Sequence, residues 1–286
     1  MRVNMTGSSG YLGGIIANEL IKNGHHFEGI SRKLLYGPVQ DLAEALEKAD
    51  VVIHLAGAPI LKRWTEKTKK EIYASRVTTS GNLAAAIKHL PEANRPLKVI
   101  SASGISIYAN GKSHTEKSRD FNTGFLGSLS KDWEAAWKEL PEQVRLIIFR
   151  TAVVLGRDSA TIRKMKLPFK AGVGGKIGSG EQPFPFIHER DVVNAYLQAV
   201  ENPDMSGVFN LAAPQQITNS EFTQAMSNRL NRPAVVPVPA FGLRMVYGQA
   251  VVMLTESPGV IPEALTNTGF RFQYPDIEST LKEIFA

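Results

Sequence analysis

Gly7, Gly10 and Gly13 recur at intervals of three in MTGSSGYLGG (5–14), and glycines spaced this way let backbone N–H groups close on an anion without an intervening side chain. A short apolar stretch (Met1, Val3, Met5) precedes them, and apolar residues at helical spacing (Leu12, Ile15, Ile16, Leu20) follow. Strand, glycine turn and helix in that order predict a phosphate cradle that includes Ser9, Tyr11 and Leu12; a plain tight turn is the alternative. The next strand closes about 25 residues later on Ser31-Arg32. An acid there would bind a free ribose 2′-hydroxyl, whereas a hydroxyl and a guanidinium suit a 2′-phosphate, so NADP(H) is expected over NAD(H). In and just after HLAG (54–57), the small residues Ala56, Gly57 and Ala58 at the end of an apolar run leave room for the adenosine and pyrophosphate, and Leu55 beside them is an expected cofactor contact.

Composition narrows the chemistry further. The chain has 286 residues and no cysteine, which excludes disulfides, thiolate metal sites and cysteine nucleophiles. No apolar run reaches the roughly 20 residues of a membrane span, and the start lacks a signal peptide's pattern, so a cytoplasmic protein without a membrane partner is expected. The net charge of +6 is concentrated in LKRWTEKTKKEIYASR (61–76), where glutamates interleave with the basic residues as on a solvated helix face. That charge suits an anionic small molecule, and no nucleic-acid motif accompanies it.

Positioning these residues requires alternating elements. Apolar runs at DVVIHLAG (50–57), LKVISASG (97–104), VRLIIFRTAVVLG (144–156) and GVFNLAAP (207–214) predict strands. They alternate with helices over 41–49, 65–90, 125–140 and ERDVVNAYLQAV, with a Thr218/Glu221 capping box opening another. Residues 170–188 are too rich in glycine and proline for regular structure, and 240–286 suggest two or three short helices. The expected class is α/β, a doubly wound parallel sheet. Its domain comprises residues 1–156, with 189–214 returning to it, and a smaller lobe comprises 157–188 and 215–286.

The segments TGSSGYLG, VVIHLAGAPI, RWTEK, SRVTTSGNL, VISASG, GFLGSLSKDWEAA, RTAVVLG, GVGGKIGSGEQPFPFIHERDVV, FNLAAPQQITNSEF and TGFRFQYP run along almost the whole chain. Through them the chain resembles an extended short-chain dehydrogenase/reductase, most closely the atypical branch of epimerase family proteins. The resemblance implies a Rossmann-like domain binding NADP(H), a C-terminal substrate lobe, and an oxidoreductase or epimerase acting on a small polar carbonyl or alcohol. A homodimer is left open. Typical members carry a serine after the fifth strand and a Tyr-x-x-x-Lys pair on the next helix. The tyrosine exchanges a proton with the substrate while the lysine cation lowers the phenol's pKa. Here Ser103 and Lys131 match the serine and lysine, but Gly127 stands at the tyrosine position.

Tyr108 or His188 is then the candidate proton donor, with an ordered water as the alternative; packing and structural hydrogen bonding are the competing roles of the two side chains. Asp191, in the IHERDVV stretch that the resemblance places beside the substrate cleft, is a polar candidate of the site or a helix N-cap. Arg76 replaces an asparagine of the better-known members and, if buried, needs an anion such as a cofactor phosphate or Glu134. Ser101, Thr151 and Lys131 complete the expected cofactor contacts. Gly172, Gly174, Gly175, Gly178 and Gly180 are either a substrate loop or a positive-φ turn. Loss of the tyrosine also motivates a second reading, a non-catalytic NADP(H) sensor.

Overall fold

The computed structural model describes residues 1–286 except Val235. The chain alternates β1 (Arg2–Thr6), α1 (Tyr11–Lys22), β2 (His26–Ile30), α2 (Arg32–Leu35), α3 (Val39–Leu46), β3 (Val51–His54), α4 (Glu66–Tyr73) and α5 (Thr79–His89). There follow β4 (Lys98–Gly104), β5 (Ser113–His114), α6 (Phe125–Ala135), β6 (Arg145–Thr151), β7 (Val153–Leu155), α7 (Ala160–Lys170), β8 (Phe186–His188), α8 (Glu189–Glu201) and β9 (Gly207–Leu211). The C-terminal part is α9 (Asn219–Leu230), α10 (Ala240–Tyr247), α11 (Val252–Thr255), β10 (Gly259–Val260), α12 (Glu263–Asn267) and α13 (Ile277–Ile284).

Six strands form one parallel sheet in the order β2-β1-β3-β4-β6-β9. Alternation along the strands divides the core. Val3, Met5, Val51 and Ile53 face α1 and α8, while Val52 and Val99 face α3 and α5. Helices thus cover both faces, the Rossmann-like arrangement expected from the sequence. The chain leaves β1 towards β2 on one side and returns to β3 on the other, so a crevice opens at the carboxyl ends of β1 and β3, where such sheets bind ligands.

One buried cation is tied down by a helix end. Lys98 is 1% exposed, and its ammonium donates to the carbonyls of Ala199, Val200 and Asn202 at 3.0, 3.2 and 2.6 Å, closing the C-terminus of α8. The Thr218/Glu221 box caps α9 as expected.

Several elements depart from the sequence reading, among them β8 (Phe186–His188), which gives regular structure to the end of the glycine- and proline-rich stretch 170–188. The helical stretch from Thr65 is interrupted by a π turn over Ala74–Thr78. The run 144–156 breaks at Ala152, and β7 leaves the main sheet to pair with β8. Helix α6 stops at Ala135, and residues 136–140 complete it in turns. Four short helices, α10 to α13, occupy 240–286. Among the described residues no helix is long and apolar enough to cross a membrane.

Candidate functional site

At the crevice, Gly7 has φ +72°, and a β-carbon on it would lie 2.8 Å from the Ala56 nitrogen. One on Gly13 would run into the Gly7 carbonyl. The turn therefore closes only with glycine, and Gly10 begins α1 with no side chain capping it and no acid in its first turn. The free N–H groups of that helix start are the cradle's donors. Tyr11 directs its hydroxyl to the Glu189 carboxylate on α8, which burial pushes above the usual carboxylate range.

Thr6 fixes the facing strand end. Its hydroxyl accepts from the amides of Leu55 and Ala56, both at 3.1 Å, and so gives its own proton to His54 Nδ1 at 2.7 Å. Thr79 donates to the Ser75 carbonyl at 2.9 Å, which leaves its oxygen to accept from His54 Nε2 at 3.2 Å. His54 is fully buried and neutral, its pKa brought down to about 3 by burial, with a contribution from nearby Arg76. Leu55 and Ala56 thus spend their amides inside the protein and offer a ligand only their small surface.

At the end of β2, Arg32, Lys33, Tyr36, Glu71 and Ala74 line an open cleft of about 510 Å³. The Arg32 guanidinium lies 5.6 Å from the centre of the Tyr36 ring. Ser31 accepts from the Leu34 amide at 3.3 Å as the cap of α2, and its hydroxyl keeps its proton to donate. Lys33 and Tyr36, one and four residues beyond Arg32, were not singled out in the sequence; the clustering of KxxY behind Arg32 is their only signal.

Arg76 reaches the end of β3 from the π turn. Its guanidinium is 3.1 Å from where Gly57 would carry a β-carbon, donates to the Ala58 carbonyl at 3.0 Å and lies over Trp133. Burial lowers its pKa to about 10. It has no carboxylate partner among the described residues, because Glu134 is held by Arg150 through bonds of 2.8 and 2.7 Å. The π turn places this cation at the crevice, a use of such turns seen at functional sites.

On β4, the Ser103 hydroxyl donates to Glu134 at 2.8 Å and is 5% exposed. Lys131 is exposed, with its ammonium 4.8 Å from the centre of the Phe121 ring. The Gly127 position admits no side chain, because the Asn122 carbonyl occupies the space a β-carbon would need. Thr151 is half-buried opposite Gly104 at the end of β6 and donates to the Phe149 carbonyl at 3.2 Å.

Several expected site residues stand elsewhere. Tyr108 is completely buried, donating to Asn210 and accepting from Arg150, each at 2.8 Å. Burial raises its pKa, so it has neither access nor acidity for proton transfer. His188 is also fully buried: Nδ1 accepts from the Arg190 amide and caps α8, while Nε2 meets Glu283 at 3.0 Å. Its pKa is lowered by burial, against the pull of Glu283. Asp191 does not cap the helix; its carboxylate accepts from the amides of Gln273 and Tyr274 at 2.7 and 3.0 Å and fastens the C-terminal segment. Ser101 accepts from the Trp137 indole at 3.0 Å and is 1% exposed, so it is closed off from a ligand inside the core. Gly172, Gly178 and Gly180 have positive φ, as a turn requires.

Glu134 and Arg150 were the site residues hardest to read. The signal was an arginine inside an apolar strand, RLIIFRT, which demands a buried carboxylate from elsewhere.

Comparison with known proteins agrees with this architecture. The family described as NAD dependent epimerase/dehydratase matches residues 3–212, and a domain of unknown function (DUF1731) matches 238–284. Epimerase family protein SDR39U1 of Mus musculus is 38% identical over 295 residues, spanning 100% of both chains. Epimerase family protein YfhF of Bacillus subtilis is 33% identical, covering 100% of this chain and 98% of its own. The crystal structure of human epimerase family protein SDR39U1 (isoform 2) with NADPH superimposes with a TM-score of 0.92 at 35% identity, over 100% of this chain and 99% of that one. With the match extending from β1 through β9, this chain belongs to the NAD dependent epimerase/dehydratase family.

Proposed function

We propose that this chain is a cytoplasmic NADP(H)-dependent oxidoreductase or epimerase for a small polar carbonyl or alcohol. The observation that carries the cofactor choice is the pairing of Arg32 and Lys33 in one cleft at the end of β2, where a 2′-phosphate lies if the diphosphate sits on the start of α1. The NADPH in the human relative supports it. The glycine cradle fits the diphosphate, and Arg76 offers a cation on the neighbouring strand end. Residues 1–156 and 189–214 would bind the cofactor, and 157–188 with 215–286 the substrate.

Bound there, the cofactor supplies or accepts hydride at its nicotinamide. Ser103 is the hydroxyl offered to the substrate oxygen. Its proton is engaged by Glu134, which leaves its lone pairs to accept a hydrogen bond from a substrate alcohol. Glu134 positions Ser103, and Arg150 holds Glu134 in place through two charge-assisted hydrogen bonds. With the tyrosine place closed and Tyr108 and His188 buried, the remaining proton route is water.

The test is NADPH oxidation against a panel of small carbonyls and sugar nucleotides, with cofactor affinity measured in parallel. Turnover abolished by Ser103→Ala at unchanged NADPH affinity supports the reading; turnover indifferent to Ser103 overturns the site. The closure of the Gly127 position favours one second reading, an NADPH-binding sensor, which predicts tight binding and no hydride exchange with any member of the panel.

A further inference from the structure

The lobe carries a surface that the cofactor site does not use. Residues 159–180 and 222–255 contain eight lysines and arginines and no aspartate or glutamate, against a net +6 for the whole chain. Among them Arg163, Lys164, Lys166, Lys170, Arg232 and Arg244 are exposed. The same two segments hold the most exposed large apolar side chains of the described residues: Leu167 at 74%, Phe241 at 72%, Met245 at 69%, Val246 at 65% and Val173 at 61%. No residue of α10 is buried.

The two segments adjoin. Lys164 on α7 lies 5.9 Å from the centre of the Tyr247 ring on α10, and Ile177 bridges Val238 just before α10. Large aliphatic and aromatic side chains left this bare mark a surface that meets something. The two segments that carry them hold basic residues and no acid, with Asp158, Glu181, Glu221 and Glu256 at their edges.

We infer that α7 and α10 form a docking surface for an anionic lipid bilayer, with Phe241, Met245 and Leu167 entering the headgroup boundary and the surrounding lysines and arginines meeting lipid phosphates. An apolar helix surface ringed by basic residues binds in this way through burial of apolar area and attraction to anionic headgroups together. A second copy of the chain is a poor occupant, because a two-fold contact would set these basic segments against themselves. This is lateral association and requires no spanning helix.

The experiment is flotation of the full chain, with NADPH present, on vesicles of phosphatidylcholine alone and of phosphatidylcholine with phosphatidylglycerol. The expected result is binding only to the anionic vesicles, weakened by salt. It should fall at least about tenfold in Phe241→Ser/Met245→Ser and again in Lys166→Glu/Lys170→Glu. All four side chains are exposed, and NADPH affinity, measured on each variant, should not change. Absence of binding to anionic vesicles overturns the proposal, as does equal binding to phosphatidylcholine. So does a chain that runs as a dimer broken by Phe241→Ser/Met245→Ser, or one that binds an acidic polypeptide and not the vesicles.

Discussion

The Asn122 carbonyl fills the place where Gly127 would begin a side chain, so the loop before α6 occupies the position from which related enzymes present a tyrosine. Gly127→Ala should therefore destabilise the protein by about 1–3 kcal/mol through overpacking, and Gly127→Tyr should fold poorly rather than gain activity. Urea unfolding of the alanine variant checks the first outcome. Turnover that rises in the tyrosine variant would show that the loop yields and that the position is still catalytic.

The glycine cradle was legible in the sequence because its chemistry is local: three glycines, a strand before and a helix after settle a backbone path. The place of Arg32 was legible for the same reason, two residues beyond the end of β2. His188 was not, because a histidine at a strand–helix junction reads alike whether it lines a cleft or caps a helix, and only its burial beneath Tyr274 and Glu283 separates the two. The pairing of Glu134 with Arg150 joins a helix to a strand through the tertiary fold, and no spacing rule announces it.

Arg32→Asp should weaken NADPH binding by about 10- to 100-fold, the worth of one or two charge-assisted hydrogen bonds, and leave NADH binding nearly unchanged. Lys33→Ala should act in the same direction with a smaller effect. Fluorescence titration with both cofactors checks this, and equal losses for the two would remove the 2′-phosphate from this cleft.

His54 sets an acid limit on stability. Its pKa is about 3 in the folded chain against 6.5 for the free side chain. Above 6.5 it is neutral in both states and costs nothing. As pH falls from 6.5 towards 3 the unfolded chain takes up a proton that the folded chain refuses, so stability declines by about 1.4 kcal/mol per pH unit from this residue. Urea unfolding across that interval should show a shallower decline in His54→Gln, which retains an acceptor for Thr6 and lacks the titration. Parallel declines would assign the acid sensitivity to other groups.

Tyr108→Phe should lower stability by about 1–3 kcal/mol, since Asn210 and Arg150 each lose a buried partner. Turnover per folded molecule should hold. A large fall in turnover with unchanged stability would return the phenol to the reaction.

Glu134 carries two duties that separate experimentally. It neutralises Arg150 in a pair whose side chains are 14% and 5% exposed, so Glu134→Gln leaves a buried guanidinium uncompensated and should cost about 3–5 kcal/mol. Replacing both charges, in Glu134→Gln/Arg150→Met, should recover part of that loss, because the arginine no longer needs a partner. Neither variant restores the carboxylate that receives the Ser103 hydroxyl. If Ser103 is held by Glu134 for the reaction, the double variant should regain stability while turnover stays low with KM little changed. Recovery of turnover together with stability would confine Glu134 to the fold.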